Sequence, residues 1–270
     1  MKLISIDATT LSDAWFQTVY KCIEVGRDFK IDRGSYEGDK RLEFDYITIR
    51  IKMPWIEPLL PKIPEQYNLP DPVDQDYLID YLPYLMTGEK KENESYTYGQ
   101  RIGGFPIPYA WTEFYNFEEC FLFNAKEIFI QEKEVWNNNK IIDSNRLFSQ
   151  VQLLIWTYKN KGFRNNQMVL QVADPKDMLL KDPPCLRHID TRIQDNKLHF
   201  FPYFRSWDLW GGFPANLAAI ELLKQYIASE IGVENGEIIA SSKGLHLYSY
   251  VWELAELLRG RTIEEFRDGK

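Results

Sequence analysis

Two consecutive prolines, two strand-like runs around a tight turn, and a glycine pair ahead of a helix fill Pro183 to Asn216, PPCLRHIDTRIQDNKLHFFPYFRSWDLWGGFPAN. The proline rings fix φ on the approach to Cys185. Gln194-Asp195-Asn196 reads as the turn of a hairpin whose second strand is Lys197 to Phe204. The hairpin delivers Arg205, Ser206 and Asp208 to one end, and Gly211-Gly212 leads to Asn216 at the mouth of a helix. Periodicity alone supports an α+β fold.

The stretch is also chemically dense. A cysteine beside an arginine can hold its thiolate near neutral pH, because the positive charge favours the ionised form. An Arg-Ser pair suits a phosphate. An asparagine amide, with donors and acceptors together, suits the edge of a pyrimidine.

PPC, a short hairpin, YFRSWD and GGFPAN resemble the core of the thymidylate synthase family, with Cys185 and Arg205 20 positions apart. GLHLYSY resembles the family's His-x-Tyr motif, at His246 and Tyr248. The clear match covers about Asp174 to Glu253, and Leu186 after the cysteine is similar to the archaeal branch. The resemblance implies a mixed β-sheet flanked by helices, dimerising sheet on sheet. It implies one domain over residues 1–270, with room for an insertion around 104–140.

By the same resemblance, the Cys185 thiolate adds to C6 of a pyrimidine. C5 then attacks a one-carbon unit carried by methylene-tetrahydrofolate or methylene-tetrahydromethanopterin. Asn216 stabilises the developing enolate and favours uracil over cytosine. Arg205 and Ser206 bind the 5′-phosphate, Asp208 positions the base, and His246 with Tyr248 holds the 3′-hydroxyl. Tyr98 and Asp80 serve the proton steps. Arg33 closes on the phosphate from a mobile loop. Several have a plainer rival: a core thiol for Cys185, a surface or ion-pair residue for Arg205, a turn arginine for Arg33, a helix-surface carboxylate for Asp80, a structural histidine for His246 and a helix cap for Asn216.

Several positions depart from the family pattern. Asn166 and Gln167 stand where arginines reach the partner's phosphate, with Arg164 two residues before Asn166 as a substitute. Phe204 replaces a glutamine, and a segment that closes over the folate in longer members has no evident counterpart. A leakier pocket would favour a 5-hydroxymethyl product. The readings that stay open are therefore methyl transfer to dUMP, pyrimidine nucleotide hydroxymethylation, and a non-catalytic nucleotide-binding paralogue.

Composition narrows the setting. A net charge of -8 argues against nucleic acid and anionic membranes as partners. Three widely spaced cysteines, Cys22, Cys120 and Cys185, form neither a disulfide framework nor a zinc pattern, and Cys22 reads as core. With no long apolar run and no signal-peptide profile, a cytoplasmic protein without a metal is the expectation.

Further elements follow in chain order. Ser12-Asp13 reads as the cap of a helix ending at Gly26. Six prolines between Pro54 and Pro72 exclude a long helix there. Asp74 to Thr87 has a helical pattern. Ser144 reads as the cap of a helix over Asn145 to Tyr158, and Leu217 to Ile231 as an amphipathic helix.

Overall fold

A computed structural model of the chain describes all residues except 33–35, 88–91, 93, 95, 104, 109–128, 138–139 and 269–270. Thirteen strands are described: β1 Leu3–Ala8, β2 Arg27–Lys30, β3 Lys40–Glu43, β4 Tyr46–Ile51, β5 Phe105–Pro108, β6 Phe129–Asn137, β7 Lys140–Phe148, β8 Val169–Gln171, β9 Leu186–Gln194, β10 Lys197–Phe204, β11 Trp207–Asp208, β12 Glu234–Ser242 and β13 Leu245–Tyr248. The helices are α1 Leu11–Val25, α2 Gln75–Met86, α3 Tyr98–Gly103, α4 Gln150–Lys161, α5 Gly212–Ile231, α6 Trp252–Arg259 and α7 Ile263–Arg267.

The main sheet has the order β1-β4-β12-β10-β9-β8 and mixes parallel with antiparallel pairs. Parallel neighbours need a crossover: α1 lies on the connection between β1 and β4, and α5 on that between β10 and β12. Strands β11-β13-β3-β2 make a second sheet, and β5-β7-β6 a third. The third sheet takes in described parts of the 104–140 stretch; residues 109–128, with Cys120, lie outside the described residues. No helix among the described residues is long and apolar enough to cross a membrane.

The expected hairpin is present. β9 and β10 pair from Lys197–Gln194 upward, and Asp195 and Asn196 both take positive φ, which a two-residue turn requires. The other end carries a bulge. Tyr203 pairs with His188 and Phe204 with Leu186, so Arg187 is the extra residue, beside Cys185.

Local signals misplace two helix starts. α1 begins at Leu11, capped by Thr10, whose hydroxyl accepts from the Asp13 N–H at 3.2 Å. α4 begins at Gln150 rather than Asn145, because residues 140–148 pair into a strand and Ser149 supplies the cap. Strand pairing outweighs a cap signal that several serines could provide.

Helix α5 organises the core. Leu217, Ile220, Leu223 and Ile227 are buried, each stabilising the fold by about 1.5–3 kcal/mol. The helix starts at Gly212, earlier than its apolar pattern suggests, because the Asp208 carboxylate accepts the N–H groups of Gly211 (3.0 Å) and Gly212 (2.8 Å). These are donors a helix start leaves unpaired, and a carboxylate suits the positive end of the helix dipole. Trp15 of α1 secures the same segment by donating its indole N–H to the carbonyls of Leu209 (3.0 Å) and Trp210 (3.1 Å). Cys22 is buried in the core.

Candidate active site

Cys185 is a free, half-buried thiol between Pro184 and the first residue of β9. Arg205, at the end of β10, folds back over its approach. It donates from its backbone N–H to the Cys185 carbonyl (2.9 Å), and from its guanidinium to the carbonyls of Pro183 (2.6 Å) and Pro184 (3.2 Å) and to Asp182 (3.2 Å). Burial raises the Cys185 thiol above its ordinary pKa. Arg205 and Arg187 pull it down and Asp182 adds to the rise. Arg205 thus has the expected sign but is outweighed, since removing a thiolate from water costs more than one half-solvated cation returns.

Tyr98 opens α3, and its hydroxyl accepts from the Leu186 N–H at 3.2 Å, one residue from the thiol. α3 is fixed in turn by Arg101, which bonds the buried carboxylate of Asp177 at 2.7 Å. Gly99 allows the helix to close on α2: a Cβ there would overlap the carbonyls of Tyr84, Leu85 and Thr87. This is the physical reason for glycine after Tyr98.

Asn216 lies inside α5, not at its cap, which is Gly211. Its Oδ1 accepts from the Trp207 indole N–H (3.0 Å), and its Nδ2 donates to the Tyr81 hydroxyl (3.0 Å). The residue of α2 that meets Asn216 is therefore Tyr81. Asp80 is exposed on the helix surface. One position, about 100° around the helix, separates inside from outside. Burial raises the Tyr81 phenol well above its usual range, so it is a neutral hydrogen-bonding group.

Across the site, Asp208 pairs in register with His246. His246 and Tyr248 share a face of β13 and meet edge to face at 4.6 Å. His246 is 2% exposed, its Nδ1 bonded to the Gly244 carbonyl at 2.8 Å and its Nε2 buried without a protein partner among the described residues. Burial lowers its pKa to about 4. A folded value below the unfolded 6.5 means that stability is present above 6.5 and lost as pH falls toward 4. Over that window the loss reaches roughly 3 kcal/mol. Thermal melts from pH 7 down to 4 should show it, and His246→Asn should flatten the profile.

Ser206 sits between Arg205 and Trp207, packed against Gly244. Tyr248 also packs against Tyr36 in a tilted pair, ring centroids 4.4 Å apart. Arg33 lies outside the described residues, three positions before Tyr36. Arg164 is exposed and lines a pocket with Arg192 to Asn196, at the turn end of the hairpin. Nine residues of strand, about 30 Å, separate it from Cys185, so it cannot serve the site of its own chain.

The structure adds two cations that sequence reasoning passed over. Arg187, Arg205 and Lys243 line one cleft of about 260 Å³ with Asp177, Met178, Pro183 and Tyr203. Arg187 reaches it through the bulge. Lys243 has no ion pair among the described residues. No periodic signal marks either, because a bulge and a strand-end turn set their directions.

A family model described as thymidylate synthase matches residues 97–267. The chain belongs to the thymidylate synthase family. Over 251 residues it is 26% identical to a protein of Methanosarcina mazei named "Putative thymidylate synthase", covering 93% of this chain and 92% of that one. A Methanothermobacter thermautotrophicus protein of the same name is 24% identical over 255 residues, covering 93% and 96%. A "Thymidylate synthase" of Listeria monocytogenes is 35% identical over 86 residues, 32% of this chain and 27% of that one. The thymidylate synthase fold accounts for the mixed sheet flanked by helices.

Proposed function

We propose that this protein transfers a one-carbon unit to C5 of a pyrimidine deoxynucleotide, dUMP in the first instance, from a methylene-tetrahydrofolate-type donor. The observation that carries the reading is a chain of contacts in a thymidylate synthase family member: the Tyr98 hydroxyl bonds the residue after Cys185, and Tyr81, which holds the Asn216 amide, acts electrostatically on Tyr98 together with Cys185. The thiolate adds to C6, and the electron pair moves through C5 toward O4, where the Asn216 N–H not donated to Tyr81 stabilises the developing charge. C5 then forms a bond to the donor's methylene carbon, the electron pair of the methylene–nitrogen π bond passing to the donor nitrogen. Loss of the C5 proton to a base and cleavage of the remaining methylene–nitrogen bond release the tetrahydropterin and leave an exocyclic methylene. Hydride from that tetrahydropterin, oxidised to a dihydropterin, gives methyl, or water gives hydroxymethyl, as the thiolate is expelled from C6 and the ring double bond re-forms. Tyr98 and Tyr81, both neutral phenols, orient water for the proton steps; Tyr81 takes the part that the family resemblance implies for Asp80.

The cleft beside Arg205 supports a phosphate there, with Arg187 and Lys243 supplying charge from the same chain and Ser206 next to Arg205 in sequence. An incoming phosphate would displace the exposed Asp182 from Arg205. Lys243→Met is expected to weaken dUMP binding about tenfold while leaving deoxyuridine binding unchanged. Titration calorimetry with the two ligands measures this.

A sheet-on-sheet homodimer fits the outer face of the main sheet, where Thr48, Phe201, Tyr203 and Ile239 are partly exposed. In such a dimer Arg164 would act on the partner's site. Tritium release from 5-tritiated dUMP, with and without methylene-tetrahydrofolate, tests the reaction. Donor-dependent release supports it, and product mass separates methyl from hydroxymethyl. No release from dUMP, dCMP or UMP with folate or methanopterin donors would leave a nucleotide-binding paralogue.

A further inference from the structure

We propose that Trp207 is a positioning residue that fixes the direction of the Asn216 amide and so decides which pyrimidine is read. The inference rests on the pyrimidine reading above for its substrate, but its physical basis does not. An indole N–H can only donate. Trp207 is 2% exposed, stacked on Phe204 at 3.8 Å and packed against Phe213 at 4.6 Å, so its ring has one pose. Its N–H therefore demands an oxygen, and the amide presents Oδ1 to it at 3.0 Å. On the other side Tyr81 receives an Nδ2 proton at 3.0 Å. Tyr81 holds the amide without choosing its direction, because a phenol donates or accepts equally well.

Each end of the amide keeps one group for a ligand: a second Nδ2 proton and a second Oδ1 lone pair. Uracil presents an acceptor at O4 and a donor at N3. Cytosine presents a donor at N4 and an acceptor at N3, the reverse order along the same edge. A freely turning amide satisfies either base by rotating half a turn. Here that rotation would set Nδ2–H against the indole N–H, two donors facing each other in a buried site. A buried unmet donor costs enough to make the turned form unfavourable by about ten- to a hundredfold. The amide is thereby a one-way reader.

Trp207→Phe keeps an aromatic ring between Phe204 and Phe213 and removes the donor. The ratio of dCMP to dUMP dissociation constants, measured by calorimetry, is expected to fall tenfold or more in this variant, with dUMP affinity changed less than about threefold. Tyr81→Phe is expected to keep the ratio, whatever it does to affinity. An unchanged ratio in folded Trp207→Phe overturns the proposal. A second measurement needs no ligand. In wild-type protein, nuclear Overhauser contacts from the Asn216 Nδ2 protons should run to the Tyr81 ring and not to the Trp207 indole proton. The opposite pattern overturns the proposal whatever the substrate is. Failure of wild-type protein to bind either nucleotide, with the expected contact pattern intact, would count against the pyrimidine reading alone.

Discussion

Replacing Cys185 with alanine is expected to reduce turnover by a factor on the order of 10⁴ or more, because C5 of a pyrimidine becomes a nucleophile only after attack at C6. Nucleotide affinity should stay within about threefold, since Arg205 holds the cysteine loop through the backbone carbonyls of Pro183 and Pro184 as well as Asp182, and none of these bonds uses the thiol. The free protein carries a further signature. With burial raising the thiol pKa, alkylation of Cys185 by iodoacetamide should be slow at pH 7 and climb about tenfold per pH unit toward pH 9. Rapid alkylation at pH 7 would mean that Arg205 prevails over burial. Retention of turnover in Cys185→Ala would remove the covalent mechanism.

The second large effect concerns stability. Lys224 and Glu221, one turn apart on α5, are both fully buried and paired at 2.9 Å. Lys224 also donates to the Gly236 carbonyl, while Glu221 accepts from Asn235 (2.5 Å) and Gln225 (3.0 Å). The cluster joins the central helix to β12. Burial lowers the lysine pKa to about 8, the mark of a charge kept from water by a partner that compensates incompletely. Lys224→Met leaves a buried carboxylate with no cation and is expected to cost about 3–5 kcal/mol. For a chain of this size that lowers Tm by on the order of 10 °C. Glu221→Leu added to Lys224→Met should recover much of the loss, because no lone charge remains. A loss below about 1 kcal/mol in the single variant would show that water reaches the pair.

The hairpin, the helix behind it and the motif set around Cys185 are legible in the order of residues along the chain. Those features rest on local rules: proline φ, the two-residue side-chain period of strands, a turn of residues that tolerate positive φ, and the apolar stripe of a helix. His246 and Tyr248 were placed on one face by strand alternation alone. Long-range packing set everything that depends on which neighbour faces which. It set Tyr81 rather than Asp80 against Asn216, and brought the Tyr98 hydroxyl to the residue after the thiol. It sent Arg164 to the far end of the hairpin, and aimed Arg187 and Lys243 into the cleft beside Arg205. It also reversed the net effect on the Cys185 thiol. The reason is the same in each case: desolvation, strand pairing and hydrogen-bond direction are set by groups far apart in the chain, and no local pattern records them.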